Sequence, residues 1–392
     1  MARSAGIESI VVVGGGVAAD RCVHGLRDAG YGGRLVMVTR EDVAPYDRTL
    51  VSKDLLEPDP PVDRAFLQPA GAYEERGIEV RHGTTATALD AGERRVTLSD
   101  GDTLAYDRLV ICTGGEPVVP ETLRCPGILV LREMGHAEAM RAALDGCRRI
   151  AIVGGGFIGG EVASAAVARG VEVTVIEALE QPLERVVGAE VGARVAELHR
   201  SHGVEVLTGA AAAAIGRDGE GFEIALAGGR TVTADVVLVG AGMRPVTDWL
   251  AGSGVRVDGG VVTDSACRTD VPGVLAAGDC ARWLNPRYGA LMRVEHWDTA
   301  RRHGAAAAAA ALGDDTPFAP LPFFWSDQHG VKLQSVGYAP VWDEVEIDET
   351  DPAPGFVARY RLDGRLVGVF AAGRPRAIGL ARKELQATST EV

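Results

Sequence analysis

The chain has 392 residues, 46% of them hydrophobic, and a formal net charge of −14, with a mean hydropathy of +0.07. That balance suits two or three globular domains with a substantial core, and the acidic excess argues against nonspecific nucleic-acid binding. Ala305 to Ala311 is too short and too weakly apolar to span a bilayer, and Met1 to Glu8 lacks the charged flank and long apolar region of a leader, so a cytoplasmic protein is expected.

Cysteines at 22, 112, 125, 147, 267 and 280 form no CxxC and no metal-ligand spacing, which predicts buried reduced thiols and no metal site.

In chain order, the first informative stretch is Ser9 to Arg27. The apolar run Ile10 to Val13 breaks into Gly14-Gly15-Gly16 and passes into a segment of helical periodicity. Strand, tight turn and helix follow. Gly14 permits the turn, Gly16 lets the backbone approach a pyrophosphate, and Ala19, next to Ala18, fills the close-packing slot. Arg34 to Val38 is the second strand. Thr39 stands where a ribose-binding carboxylate is expected; Glu41, two residues on, is either its substitute or a solvated loop carboxylate. Next comes the polar interruption Tyr46 to Lys53, holding one of only three lysines and preceding an apolar helix start at Leu55-Leu56. Gly77 to His82, Thr84 to Asp90, Arg95 to Leu98 and Thr103 to Tyr106 read as an antiparallel meander with a hairpin at Asp100-Gly101. Arg108 to Cys112 is a buried strand closing on Thr113-Gly114-Gly115, and Pro117 and Pro120 mark a boundary.

The chain then repeats the opening pattern. Ile150 to Val153 leads into Gly154-Gly155-Gly156-Phe157-Ile158-Gly159, and a second strand, Val171 to Ile176, ends in Glu177. A carboxylate at that strand tip accepts both ribose hydroxyls of an adenosine and repels a 2′-phosphate, and no cation follows before Arg185. NAD is therefore favoured over NADP. A helix at Gly188 to His202 and a hairpin at Asp218-Gly219 follow. Val236 to Val239 then runs into Gly240-Ala241-Gly242 and Arg244-Pro245, echoing the earlier strand-to-glycine exit. Two such exits imply that the second unit is inserted into the first. The expected division is 1–115 with 235–315, then 116–234, then 316–392, with different dinucleotides in the two nucleotide folds.

Thr269 to Asp279 reads as a buried strand whose terminal carboxylate faces a ligand crevice. Glu295 to Leu312 is an alanine-rich helix whose amino end offers unpaired N–H groups and partial positive charge to a ring that becomes anionic on reduction. Beyond Pro317 the segments Pro322 to Trp325, Val331 to Tyr338, Val341 to Ile347, Phe356 to Leu362 and Arg365 to Ala371 are strand-like, with a hairpin at Asp363-Gly364 and a closing helix, Pro375 to Gln386. The fold class is α/β, two Rossmann-like domains plus a C-terminal α+β domain.

VVVGGG, YDRxxxSK at 46 to 53, TGG at 113 to 115, GGGFIGGEVA at 154 to 163, AAGDCA at 276 to 281, RVEHWDTA at 293 to 300 and FFWSDQHG at 323 to 330 together resemble the FAD-dependent NADH-ferredoxin reductases of the putidaredoxin reductase type, over nearly the whole chain. The resemblance implies a glutathione-reductase-type fold and electron transfer from NADH through FAD to a 2Fe-2S ferredoxin serving an oxygenase or cytochrome P450. It implies that Arg48 and Lys53 contact the flavin, that Glu161 pairs with Lys53 and orients the nicotinamide, that Asp279 binds the ribityl chain, and that Trp297 and Trp325 line the ring. Thr113, Gly114, Glu295 and His296 join the FAD set through their motifs; Phe157, Ile158 and Gly242 join the NAD set. Where relatives usually read Arg-Pro-Pro-Leu-Ser-Lys, this chain has Arg48-Thr49-Leu50-Val51-Ser52-Lys53, so two prolines that would stiffen the loop are gone. An acidic ferredoxin needs basic docking residues, for which Arg301, Arg302, Arg374, Arg376, Arg382 and Lys383 are candidates. A thiol mechanism ranks low, with Cys280 the cysteine to test. A flavoprotein redox sensor resembling apoptosis-inducing factor, or a reductase of a small-molecule acceptor, is the alternative, and monomer or homodimer stays open.

Overall fold

The computed structural model describes residues 6–349 and 355–387; residues 1–5 of the stretch read above for a leader lie outside them. The chain divides into two compact units. One holds the described part of Met1–Asp47 with Asp63–Glu116 and Arg244–Pro322, and the other Arg48–Val62, Pro117–Met243 and the described part of Phe323–Val392.

In the first unit, Ser9–Val13 is the middle of a five-stranded sheet ordered Val274–Ala276, Arg108–Ile111, Ser9–Val13, Arg34–Val38, Ile78–Arg81. Every pairing is parallel. A parallel sheet is covered on both faces, which is why its strands read as continuous apolar runs. Val11, Val13, Val36 and Val38 pack with Leu89, Val96, Leu98 and Leu104 of the antiparallel meander Ala86–Asp90, Arg95–Leu98, Thr103–Ala105. Alternation sends Ile10 and Val12 to the opposite face, and all four residues of that run are buried.

One expectation fails here. Ile78–Arg81 is not part of the meander; it pairs parallel with Arg34–Val38, Leu35 opposite Ile78 through Val38 opposite Arg81. The short helix Ala72–Glu75 lies in a long connection from the preceding strand, and a crossover of that length admits the parallel direction that a tight turn forbids. Element boundaries also differ, most tellingly at three places. The strand read over Thr269 to Asp279 is only Val274–Ala276, because Thr269 Oγ1 takes part in a turn around Val271-Pro272-Gly273. The long helix starts at Trp297, with His296 as its cap residue, and ends at Ala311. Leu55-Leu56 opens no helix: Asp54–Leu56 is a single 3₁₀ turn, and Pro58, Pro60 and Pro61 stop it going further.

The alanine run of the helix Trp297–Ala311 has a packing reason. Gly304 lies so close to the helix Val17–Asp28 that a Cβ there would fall on the Ala18 carbonyl, and a Cβ on Gly25 would meet Ala308 Cβ at 3.1 Å. Small residues let the two helices approach backbone to backbone.

The second unit repeats the architecture. Its sheet is ordered Glu205–Leu207, Glu172–Ile176, Arg149–Val153, Val236–Val239, all parallel, with helices Met134–Gly146, Phe157–Ala168 and Ala189–Ser201 and a meander of Ala212–Asp218, Gly221–Leu226 and Thr231–Ala234. Val236–Val239 lies beyond residue 234 yet is hydrogen-bonded into this sheet, Val236 opposite Ile150. A five-stranded antiparallel sheet completes the unit, ordered Phe323–Gln328, Val331–Gly337, Arg365–Ala372, Phe356–Leu362, Glu344–Asp348, with the helix Pro375–Ala387 following it. Its turn at Asp363 (φ 50°) and Gly364 (φ 73°) is the hairpin read from the Asp-Gly pair. This sheet shares a core with the nucleotide fold: Leu183, Val187, Val191 and Val195 pack with Leu333, Phe356, Tyr360 and Phe370, and Tyr360 Oη donates to Val187 O at 2.8 Å.

A Cβ at Gly304 would fall on a backbone oxygen, that of Ala18, so an overpacking cost of about 3 kcal/mol should outweigh the ~1 kcal/mol that alanine gains over glycine in a helix and leave Gly304→Ala about 2 kcal/mol less stable. Thermal unfolding of the variant, expected several degrees below the parent, checks it.

Candidate functional site

The first unit carries a cradle built from three strand ends. Gly14 has φ +138°, and a Cβ there would fall on the Cys112 carbonyl, so only glycine lets the first strand's exit touch that of Arg108–Ile111. A Cβ on Gly15 would fall on Thr39 Oγ1. Thr39 is itself buried, which explains the missing carboxylate at that tip: the side chain packs against the glycine turn. Glu41 lies in the following loop and accepts a hydrogen bond from Tyr46 Oη at 2.6 Å. Gly16 is extended and caps the helix Val17–Asp28 without a side-chain bond to the helix N–H groups, while Ala18 and Ala19 are buried behind it.

At the next strand ends, Thr113 Oγ1 donates to Val246 O at 2.6 Å, and Gly114 O accepts from Val246 N at 3.0 Å. Gly278 has φ +80°, with Ala18 Cβ only 2.9 Å from where its own Cβ would stand; its N–H donates to His303 Nδ1 at 3.2 Å. The turn delivers Asp279, whose carboxylate acts on His296, although burial dominates and lowers that imidazole to about 4. Glu295 is ion-paired with Arg293, and Arg301 lies 6.0 Å from the Trp297 ring centre.

The second unit holds a matching cradle. Gly154 has φ +108°, and a Cβ there would fall on the Gly240 carbonyl; one on Gly159 would fall on Gly154 O. Gly156 faces open space and caps the helix Phe157–Ala168 with no side-chain bond. Free N–H groups at a 12-residue helix start, fronted by open space, fit a pyrophosphate. Glu177 stands at the second strand's tip, where Oε2 accepts from Gly155 N at 2.7 Å and Oε1 from Leu179 N at 2.8 Å. Each oxygen keeps a lone pair for a ribose hydroxyl. Phe157 packs edge-on to Phe324 at 4.7 Å, Ile158 is the next residue of the first turn, and Gly242 (φ +112°) has open space beside it.

In the same unit Lys53 Nζ lies 2.7 Å from Glu161 Oε1, with the carboxylate side chain 5% exposed. Ser326 Oγ donates to Oε1 at 2.6 Å, and Ser52 Oγ donates to Oε2. Gln328 Nε2 donates to Ser326 Oγ at 3.0 Å. Arg48 Nη1 donates to Arg132 O at 3.2 Å. The backbone fixes this loop: Arg48–Leu50 is a 3₁₀ turn in which Val51 N bonds Arg48 O and Lys53 N bonds Leu50 O, and Lys53 Nζ reaches back to Thr49 O at 3.1 Å. Trp325 stacks on Phe323 at 6.0 Å. Arg48, Lys53 and Trp325, assigned above with the flavin, thus sit in the unit that holds Glu161 and Glu177. Sequence reading missed Ser52, Ser326 and Gln328. The available signal was the run Ser326-Asp327-Gln328, whose first and third residues share one face of the strand Phe323–Gln328.

Residues 8–304 match the family model described as pyridine nucleotide-disulphide oxidoreductase. The chain belongs to that family. Residues 323–391 also match the model described as reductase C-terminal. The chain is 37% identical over 387 residues to the ferredoxin–NAD(+) reductase component of the anthranilate 1,2-dioxygenase system of Burkholderia cepacia, covering 97% of this chain and 94% of that one. It is 31% identical to putidaredoxin reductase of Pseudomonas putida, over 94% and 89% of the two chains. Among solved structures, the ferredoxin reductase for the CYP199A2 system of Rhodopseudomonas palustris superposes with a TM-score of 0.92 at 30% identity, covering 96% of this chain and 94% of that one. The covalent putidaredoxin reductase–putidaredoxin complex also gives 0.92 at 30%, covering 96% and 93%.

The family name mentions a disulphide, but the cysteines here do not supply one: all six are free. Burial raises the thiols of Cys22, Cys112 and Cys280, and pushes Cys267 up to about 12. Cys280 is fully buried and donates weakly to Ile111 O and Ala277 O, each at 3.5 Å. A nucleophilic thiol needs the opposite environment, exposed and electropositive. No group of side chains suited to hold a metal occurs among the described residues, and no described helix is long and apolar enough to cross a membrane. One docking candidate is corrected: Arg374 is buried and donates to Gly355 O at 3.0 Å, so its charge serves the fold.

Four imidazoles are held neutral by burial: His296, His199 and His329 at about 4, and His303 at about 3. His329 Nε2 lies 2.9 Å from His199 Nδ1 and stacks on His202. Their folded pKa values lie below the unfolded value, so between about pH 6.5 and 4 the unfolded chain binds more protons. Stability should be full above about pH 6.5 and fall as the pH drops toward 4, and His303→Gln should flatten the slope; urea unfolding across that window measures both.

Proposed function

We propose that this oxidoreductase takes electrons from NADH onto FAD and passes them singly to a 2Fe-2S ferredoxin that serves an oxygenase or a cytochrome P450. The observation that carries the reading is the pair of glycine cradles, the second tipped by Glu177 and accompanied by the Lys53–Glu161 ion pair. Two of the relatives named above support it, being ferredoxin reductases of the anthranilate 1,2-dioxygenase system and of the CYP199A2 system by their own descriptions. A complex of one of them with putidaredoxin supports a small iron-sulfur protein as the partner. The six free cysteines fit a cytoplasmic setting, where thiols stay reduced.

In this reading the first cradle holds FAD. Gly14, Gly16, Ala18 and Ala19 receive the pyrophosphate, Glu41, steadied by Tyr46, the adenosine ribose, and Asp279 the ribityl hydroxyls. Thr113 and Gly114 border it. Glu295, His296 and Trp297 bring the start of the 15-residue helix, with its partial positive charge, toward the ring. Neutral His296 can donate or accept a hydrogen bond there without adding charge. The second cradle holds NADH through Gly154, Gly156, Phe157, Ile158, Gly242 and Glu177. Glu161 orients the nicotinamide, while Lys53 and Arg48, with Trp325, attend the flavin. Bound FAD supplies the change from two-electron to one-electron chemistry; the protein contributes orientation and electrostatics. The corresponding domains are the first unit for FAD, 117–243 for NAD and 323–391 for the reductase C-terminal domain. Arg376 and Lys383, both exposed on the closing helix, and Arg382, which lies over Phe323 at 4.6 Å, offer the docking charge.

Purified protein should be yellow, and anaerobic stopped flow should show flavin bleaching by NADH far faster than by NADPH. Glu177→Ala should weaken NADH binding about tenfold, the worth of ~1.4 kcal/mol in lost hydrogen bonds. A colourless protein that cannot be reconstituted overturns the proposal. Raising salt should slow ferredoxin reduction much more than dye reduction, as expected of steered docking. Equal sensitivity removes the docking face, and a long-lived reduced flavin that no ferredoxin oxidises points instead to a redox sensor.

A further inference from the structure

The Glu161 carboxylate is held by far more than its lysine. It is buried, and three donors from two other segments converge on it: Lys53 Nζ at 2.7 Å and Ser326 Oγ at 2.6 Å on Oε1, and Ser52 Oγ on Oε2. Lys53 and Ser52 come from the loop at 48–56, Ser326 from the strand Phe323–Gln328, and the carboxylate from the helix Phe157–Ala168. A lysine supplies charge from a long, rotatable stem, and this one also donates to Thr49 O at 3.1 Å. The two hydroxyls grip opposite oxygens, so they set the carboxylate plane.

The strand is built to aim one of those hydroxyls. Ser326 and Gln328 alternate onto the same buried face, at 0% and 1% exposure, while Asp327 between them turns outward to Lys332 at 2.7 Å. Two polar side chains on a buried face are costly unless bonded. The Gln328 amide nitrogen can only donate, and it donates to Ser326 Oγ at 3.0 Å. The serine oxygen is thereby an acceptor toward Gln328, and its single proton is committed to Glu161. Gln328 is in turn seated on glycine: a Cβ at Gly160 would stand 2.7 Å from its Cδ, Nε2 and Oε1. That accounts for the second glycine of the Gly159-Gly160-Glu161 run.

We propose that Ser52, Ser326 and Gln328 are positioning residues that fix the Glu161 carboxylate in the orientation the nicotinamide reaction uses. The proposal rests on the reading above that Glu161 faces the nicotinamide. It assigns to Ser-Asp-Gln at 326–328 a task beyond completing a sheet: to aim a carboxylate on the neighbouring helix.

The test uses FAD-loaded enzyme in anaerobic stopped flow, with Glu161→Gln as the reference. Ser326→Ala should lower the limiting rate of flavin reduction by NADH about tenfold, the loss expected for one hydrogen bond to a charged group. FAD content and the apparent NADH affinity should stay within about twofold, and Ser326→Thr should restore most of the rate because it keeps the hydroxyl. A second readout needs no turnover. In protein labelled with carbon-13 at glutamate carboxyls, the signal lost in Glu161→Gln identifies Glu161; it should shift in Ser326→Ala and Ser52→Ala and return in Ser326→Thr. If Glu161→Gln reduces at the parent rate, the site reading fails and takes this proposal with it. If Glu161→Gln is slow while Ser326→Ala keeps both rate and resonance, the positioning role alone is overturned. Should Ser326→Ala not fold, Ser52→Ala on the short loop decides by the same two measurements.

Discussion

Backbone laid against backbone at two glycines is the constraint on which the rest of this structure depends. At Gly14 and again at Gly154, both at positive φ, a strand turns so sharply into its helix that any side chain would occupy the carbonyl of the neighbouring strand's exit, Cys112 in one case and Gly240 in the other. That contact brings the helix's unpaired N–H groups to the end of the sheet, where a pyrophosphate can take them. Everything else in each cradle, from Asp279 to Glu177, is delivered by the exits of strands whose spacing the glycine contact sets.

The second theme is how the molecule keeps charge inside. Glu161 is the buried carboxylate nearest the expected chemistry, and it is surrounded by donors: an ammonium and two hydroxyls, one of them held by an amide. Removing a single donor from such a cluster costs more than the bond's net worth, since the remaining charge stays buried and poorly solvated. The histidines follow the other available course. With no carboxylate close enough to prevail, burial keeps His199, His303 and His329 neutral, and His303 uses its lone pair to hold the Gly278 turn.

The cysteines and the loop at 48–53 show how chemistry and sequence motif can part company. A family described by disulphide chemistry is represented here by six free cysteines, four of them buried, with burial raising the thiols of Cys22, Cys112, Cys267 and Cys280. The loop at 48–53 is held by a 3₁₀ turn and by the lysine ammonium folded back onto Thr49 O.

The sequence alone determined the two strand–glycine–helix units, the carboxylate of Glu177 at its strand tip, the hairpin at Asp363-Gly364 and the strands beyond Pro317, because each is written in local residue types: glycine for positive φ, alternation for a half-buried strand, a carboxylate where a strand ends. It did not determine that Ile78–Arg81 joins the parallel sheet, that Val236–Val239 completes the second one, or that Ser52, Ser326 and Gln328 meet around Glu161. Those depend on which distant segment supplies the hydrogen-bonding partner. A strand's neighbour and a buried charge's donors are chosen by the packing of the whole unit, and no local pattern records that choice.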